Sequence, residues 1–294
     1  MKLLENYKYP LSQSDINERI IKIKEISKKN HNIATLKQIF SFIDLTSLNS
    51  TDKTDKIKQM CEKVNEFTKD NSDFPNVAAI CVYPALVETV KNTLIPKNIE
   101  IAAVSAGFPA SQTFVEVKKL ESEIAIKKGA SELDVVISIG KFLSGNYQTV
   151  FDEIKTVKKA IGNIHLKVII ESGALETAEN IWKASIIAME AGADFIKTST
   201  GKLQPAATLE AAIVMSEAIK EFNKKYNKKI GFKPAGGIST GEQALEYYAI
   251  MKETLGNYWL NSKLFRIGAS SLANNLLSEI SSIENNKEIE IKYF

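Results

Sequence analysis

Apolar residues in this chain follow two spacings that take turns. From residue 39 onward, short runs with a period of two are each followed by a longer stretch in which apolar residues return every third or fourth position. The short runs predict strands at Ile39–Ile43, Val77–Val82, Ile101–Ser105, Leu133–Ser138, Leu166–Glu171, Phe195–Thr198, Ile230–Lys233 and Phe265–Gly268. The stretches between them predict helices at Lys53–Phe67, Ala85–Thr93, Thr113–Lys128, Gln148–Ile161, Leu175–Ala191, Thr208–Phe222, Thr240–Leu255 and Ser270–Ser282. Eight strand–helix units over about 240 residues fit an α/β fold, the (β/α)8 or TIM barrel, which typically needs ~250. A doubly wound open sheet is the rival. It would carry a GxGxxG or P-loop turn after an early strand, and the chain has neither.

The pattern divides the chain into three parts. Residues 1–38 read as an N-terminal helical extension, with Ile16, Ile20, Ile21 and Ile23 forming an apolar stripe. Residues 39–282 form the barrel, and 283–294 are a polar tail expected to be mobile. No Pro-, Gly- or Ser-rich linker interrupts the barrel.

Alternation also says which side chains face the barrel interior. Asp134 lies opposite Leu133 and Val135, and Lys167, Ile169 and Glu171 lie opposite Leu166, Val168 and Ile170. Asp44, Cys81, Lys197 and Lys233 join them from the first, second, sixth and seventh strands. Lys197 and Lys233 end adjacent strands, at the rim where barrel enzymes keep their chemistry. An amine attacks a carbonyl only when unprotonated. Two ammonium groups ~5 Å apart at an effective dielectric of ~20 repel by roughly 3 kcal/mol, about two pKa units. That predicts Lys197 as a Schiff-base nucleophile, Lys233 as the neighbour that depresses its pKa, and Asp134 as a proton shuttle. The plainer alternative is an interior ion network that only holds the barrel together, and it applies most to Lys167 and Glu171.

The loops after the last strands suggest an anion site. Pro234-Ala235-Gly236-Gly237-Ile238-Ser239 and Gly268-Ala269-Ser270-Ser271 are turns of small residues, the second opening a helix. Glycines let backbone amides approach an anion, and helix N-termini bind one. Gly201 and Lys202 can complete the site.

Composition narrows the classes further. Net charge is +3, but Arg19 and Arg266 are the only arginines, and no basic block carries interleaved aromatics. Nucleic acid is therefore not an expected partner. His31 and His165 are the only histidines, too few for a histidine-based metal site, so no metal or other cofactor is expected. No apolar run is long enough for a bilayer, and the start of the chain lacks the form of a secretory leader. With only Cys61 and Cys81, outside any CxxC pair, the expected location is the cytoplasm.

The segments Ile43-Asp44-Leu45-Thr46, Ala79-Ile80-Cys81-Val82-Tyr83-Pro84, Leu133-Asp134-Val135-Val136, Ala193 to Lys202, Gly231 to Gly237 and Arg266 to Leu272 resemble the deoxyribose-phosphate aldolases, over about Phe42 to Leu276. The resemblance implies a metal-free class I aldolase that reversibly cleaves 2-deoxy-D-ribose 5-phosphate into acetaldehyde and D-glyceraldehyde 3-phosphate. It gives the Schiff base to Lys197 and the proton relay to Asp134 and Lys233. It puts phosphate on Gly201, Lys202, Gly236, Gly237, Ser270 and Ser271, to which the turn adds Gly268. Asp44, Thr46 and Cys81 match positions lining the pocket, and Lys167 and Thr200 are expected to bind substrate with them. A sugar phosphate is then the expected small-molecule partner, with a homodimer allowed. Two departures stand out. Many members carry an arginine where this chain has Ser239, and some bacterial members end in a tyrosine that enters the site, whereas here Tyr293 is followed by Phe294. The competing readings are another Schiff-base barrel acting on a different phosphorylated sugar, and a non-catalytic barrel that binds sugar phosphate.

Overall fold

A computed structural model of the chain, describing residues 1–294, resolves the pattern into eight parallel strands and eleven α-helices. The chain enters through α1 (Gln13–Lys29) and α2 (Ile33–Phe40). β1 (Ile43–Thr46) leads to α3 (Thr54–Asp70), β2 (Ala79–Val82) to α4 (Val87–Thr93), and β3 (Glu100–Ser105) to α5 (Val115–Lys128). β4 (Glu132–Val136) is followed by the short α6 (Ile139–Leu143) and by α7 (Tyr147–Ile161), and β5 (His165–Ile169) by α8 (Ala178–Glu190). β6 (Phe195–Lys197) with α9 (Leu209–Tyr226), β7 (Gly231–Lys233) with α10 (Gly241–Leu255), and β8 (Ile267–Ala269) with α11 (Leu272–Asn285) complete the circuit.

Each strand pairs in parallel with its neighbours in sequence, and β1 also pairs with β8. Between β7 and β8, bridges at Phe232–Phe265 and Ala235–Gly268 close the ring. The result is the (β/α)8 barrel that the alternation predicts. Leu133, Val135, Leu166, Val168, Ile196 and Phe232 face outward into the apolar layer between strands and helices. Thr177, Thr208 and Thr240 each accept a hydrogen bond from the amide three residues on, which starts α8, α9 and α10 directly after the loops at the barrel mouth.

The lower interior is filled by the Phe195 ring. A Cβ on Gly231 would lie 2.3 Å from that ring, so glycine at this position is what lets the aromatic fit.

Two expectations need correction. The first strand was expected over Ile39–Ile43, but α2 runs through Phe40 and the strand begins at Ile43. Leu36, Ile39 and Phe40 have helical spacing and are all buried, and Asn32 caps the helix by accepting from the Thr35 amide. The run Ile39 to Ile43 thus joins the end of a helix to the start of a strand, and residue 38 falls inside α2.

The tail, expected to be mobile, is docked. It runs back along α11, with the Ile289 and Ile291 amides donating to Ser282 Oγ and Ser278 Oγ at 2.9 and 2.8 Å. Asn274 Oδ1 accepts from the amides of Tyr293 and Phe294 at 2.9 and 2.8 Å. Both rings pack on Phe67 of α3, each with centroids 5.3 Å away. The apolar side chains at 289, 291, 293 and 294 explain the docking that the polar composition concealed.

Candidate active site

Register decides which interior groups meet. Lys197 pairs with Lys233, and Asp134 pairs with Lys167. Because β4 to β7 are staggered around the closed ring, Asp134 sits among all three lysines. Its Oδ2 accepts from both Lys197 Nζ and Lys233 Nζ at 2.7 Å, and its Oδ1 accepts from Lys167 Nζ at 3.2 Å. Lys233 also donates to Asp44 Oδ2 at 2.5 Å. Every one of these groups is buried.

A second layer lies beneath. Lys167 Nζ donates to Glu132 Oε2 at 2.5 Å, and Arg266 spans Asp44 Oδ1 and Glu132 Oε1 at 2.7 and 2.9 Å. Glu132 and Arg266 were not singled out from the sequence. Both lie two residues before an interior position, Asp134 and Gly268, so the period of two carried one step further would have placed them inside. The bland reading of Lys167 as part of a charge lattice fits its surroundings. It lies below the mouth and contacts three carboxylates.

These contacts move the titrations in different directions. Burial alone would raise the Asp134 carboxyl, but the charges of Lys167, Lys197 and Lys233 outweigh it and hold the group well below the usual carboxylate range. Burial alone would lower Lys233, but Asp134 and Asp44 reverse that and keep it a firm ammonium. Lys197 goes the other way. Burial lowers it first, the Lys233 charge lowers it again, and Asp134 only partly offsets both. The inter-lysine repulsion expected from the sequence is present, but desolvation is the larger cause. Cys81 is fully buried in the same interior, and burial pushes its thiol up, away from reactivity.

Above the charges a cavity of about 340 Å³ opens at the C-terminal ends of the strands. Of the expected residues, Lys197 reaches it from below, and Thr46, Thr200, Gly201, Lys202, Gly236, Gly237, Gly268, Ser270 and Ser271 line its wall. Asp134, Lys233, Asp44, Lys167 and Cys81 lie beneath the floor instead. Leu48, Asn49, Ile238 and Ser239 also line the cavity. Leu48 and Asn49 were missed because they sit in a loop, where no periodicity marks a facing side. Tyr293 lies outside, against Phe67.

The wall favours an anion. The amides of Gly236, Gly237, Ser270 and Ser271 donate to nothing within the chain, and Ser270 and Ser271 lead into the N-terminus of α11. Gly236 holds φ +87°, and a Cβ there would meet Ala206 Cβ at 2.6 Å, so glycine keeps this amide turn open. No three His, Cys, Asp or Glu side chains gather where they could hold a metal ion. The arrangement thus combines a buried amine whose pKa lies below its ordinary value, an ionised carboxylate beside it, and unpaired amides lining the cavity above them.

Residues 39–273 match the model of the DeoC/LacD family aldolases. The human deoxyribose-phosphate aldolase is 42% identical over 270 residues, covering 88% of this chain and 85% of that protein. Among solved structures, the aldolase QR15 superposes with a TM-score of 0.69 at 28% identity, covering 84% of this chain and 98% of that one. The deoxyribose phosphate aldolase of Aeropyrum pernix, described as a unique tetramer, has the same fold, with a TM-score of 0.67 at 20% identity and coverage of 90% and 97%. A family match across the whole barrel, together with 42% identity to a curated relative over most of both chains, means that this chain belongs to the DeoC/LacD aldolase family and is an aldolase, a carbon–carbon lyase.

Proposed function

We propose that this chain reversibly cleaves 2-deoxy-D-ribose 5-phosphate into D-glyceraldehyde 3-phosphate and acetaldehyde through a Schiff base on Lys197, as a step of deoxyribonucleoside breakdown. One observation carries the reading: Lys197 and Lys233 converge on a single oxygen of Asp134 directly beneath a cavity rimmed with unpaired amides. The name of the human relative supplies the substrate class.

The neutral amine of Lys197 adds to the aldehyde carbon of the open-chain sugar. Each unit by which its pKa falls makes the free amine about ten times more abundant at neutral pH. The carbinolamine hydroxyl leaves as water, taking a proton relayed from the Lys233 ammonium through Asp134, and an iminium remains. The carbon–carbon bond then breaks as the neighbouring hydroxyl returns a proton to the relay of Asp134 and Lys233. Its electron pair moves into the iminium to give an enamine, and glyceraldehyde 3-phosphate departs. Protonation of the enamine carbon restores an iminium, and water releases acetaldehyde and the amine. The phosphate rests on the Gly236, Gly237, Ser270 and Ser271 amides with Lys202 alongside, and Ser239 contributes no charge where many relatives have arginine. Thr46 and Thr200 border the sugar, while Asp44 and Lys167 keep the interior charges in place below it.

Borohydride reduction in the presence of acetaldehyde tests the chemistry. The expected product is an ethyl adduct that peptide mapping assigns to Lys197. Turnover without any adduct, or an adduct on another lysine, overturns the mechanism. A substrate series of deoxyribose 5-phosphate, ribose 5-phosphate and ketose phosphates tests specificity, with the first expected to be cleaved fastest.

A further inference from the structure

Glu171 is an interior carboxylate that stands outside the charge network described above, and its surroundings differ from those of the others. It is buried at 2% exposure but makes no ion pair. Both of its oxygens are taken by one residue: the Thr200 amide donates to Oε1 at 3.1 Å and the Thr200 hydroxyl to Oε2 at 2.6 Å. Its backbone sits at φ +53°, in the left-handed region that a glutamate rarely adopts. Burial raises its carboxyl, the two Thr200 bonds pull it down only in part, and the net shift is upward.

The next two residues grip the same loop. The Ser172 amide donates to Thr198 O at 2.8 Å, and a Cβ on Gly173 would meet Pro205 O at 1.9 Å. The segment Glu171-Ser172-Gly173 therefore holds the β6–α9 loop near both of its ends. Between those ends Gly201 to Pro205 are all exposed, and Thr200 is the last buried residue before them. Thr200 in turn passes the grip on, because its Oγ1 accepts from the Lys202 amide at 3.1 Å. Ser199 Oγ does the same one residue earlier, accepting from the Gly201 amide at 3.2 Å while donating to Ala235 O at 2.7 Å. Gly201 and Lys202 are the part of this loop that lines the cavity.

We propose that Glu171 is a positioning residue that sets affinity for the anionic end of the substrate by holding the Thr200–Lys202 turn in its binding shape. This rests on the phosphate-binding reading given above. An exposed five-residue stretch would otherwise lose conformational entropy on binding. A carboxylate offers each Thr200 donor its own oxygen and so offsets part of that cost in advance, whereas a glutamine of the same size replaces one of the two acceptors with an NH2 that cannot accept.

The test is the ratio of kcat/KM for deoxyribose 5-phosphate to that for unphosphorylated 2-deoxyribose, together with competitive inhibition by inorganic phosphate. In Glu171→Gln the ratio is expected to fall about tenfold, inhibition by phosphate to weaken by a similar factor, and the loss to appear in KM rather than kcat, because a buried donor is left unpaired. Glu171→Gly relieves the strained backbone while removing the carboxylate. It is expected to unfold no earlier than Glu171→Gln yet show at least the same drop in ratio. Should Glu171→Gln fail to fold, Glu171→Gly carries the same test. Equal losses on both substrates, or a fall in kcat at constant KM, overturn the positioning role. If the unsubstituted chain itself shows no preference for the phosphorylated sugar, the phosphate reading fails instead.

Discussion

Lys167 and Lys197 sit on neighbouring strands, are equally hidden from water, and both reach Asp134, yet they titrate in opposite directions. Burial lowers both. Lys167 recovers because Asp134, Glu132 and Asp44 surround it, and it ends above its ordinary value. Lys197 meets one carboxylate, which it shares with Lys233, and ends below. The lower layer of the barrel is thus a lattice in which each cation faces several anions. In the upper layer Lys233 reaches two carboxylates, while Lys197 has only the one that Lys233 also holds. The lesson is that burial alone does not make a lysine reactive. What decides is the number of carboxylates it can reach, less those a competing cation has already claimed.

The largest effect that would sharpen this contrast is on activity. Lys197→Ala is expected to lower kcat/KM by about 10⁴-fold or more, while the thermal midpoint stays close to that of the unsubstituted chain. Turnover within tenfold of normal would break the assignment of the upper layer.

In the lower layer the same kind of change should act on stability. Arg266→Met leaves Asp44 and Glu132 short of a partner and is expected to cost about 3–5 kcal/mol in urea unfolding. Its neighbours' carboxyls are depressed, so the stability they supply is complete above the ordinary carboxylate values and fades as the pH falls below them. These two carboxylates should therefore withdraw stability on that acid side, and an acid transition starting near neutrality would break the picture.

A third change bears on Lys233. The Lys233 charge helps depress Lys197, so Lys233→Leu should raise the Lys197 pKa. The acid limb of the pH–rate profile then moves to higher pH, by about two units if the two ammonium groups lie ~5 Å apart at an effective dielectric of ~20. An unmoved limb would leave desolvation as the sole cause.

The smallest effect concerns the tail. Deleting residues 287–294 removes the Phe67 contacts and is expected to cost about 1–3 kcal/mol of stability, given two partly buried aromatic rings, with kcat changed less than about twofold. A large fall in kcat would bring Tyr293 back into the chemistry.

Much of the site could be read from alternation. Asp134, Lys197 and Lys233 each interrupt an apolar run at a position of fixed parity, and the closed ring turns that parity into an inside. Glu132 and Arg266 escaped because one begins its strand and the other directly precedes its strand, where the start of the period is uncertain. Leu48 and Asn49 escaped because a loop has no period at all. Residues 39–43 misled because the last turn of an apolar helix and the start of a strand have the same composition over five residues. The tail misled because its apolar residues only became informative against Ser278 and Ser282 on α11.

The order of residues determined the barrel, the parity of its interior and the two glycine-rich turns, since each follows from spacing within a single segment. The shared contact of Lys197 and Lys233 with one oxygen of Asp134, and the balance of burial and charge that lowers Lys197 while raising Lys233, were decided only by closure of the ring. The same holds for the pairing of Glu171 with Thr200. Those properties depend on distances between charges from strands far apart in the chain, and on the water excluded from among them. Neither quantity exists until the eight strands have met.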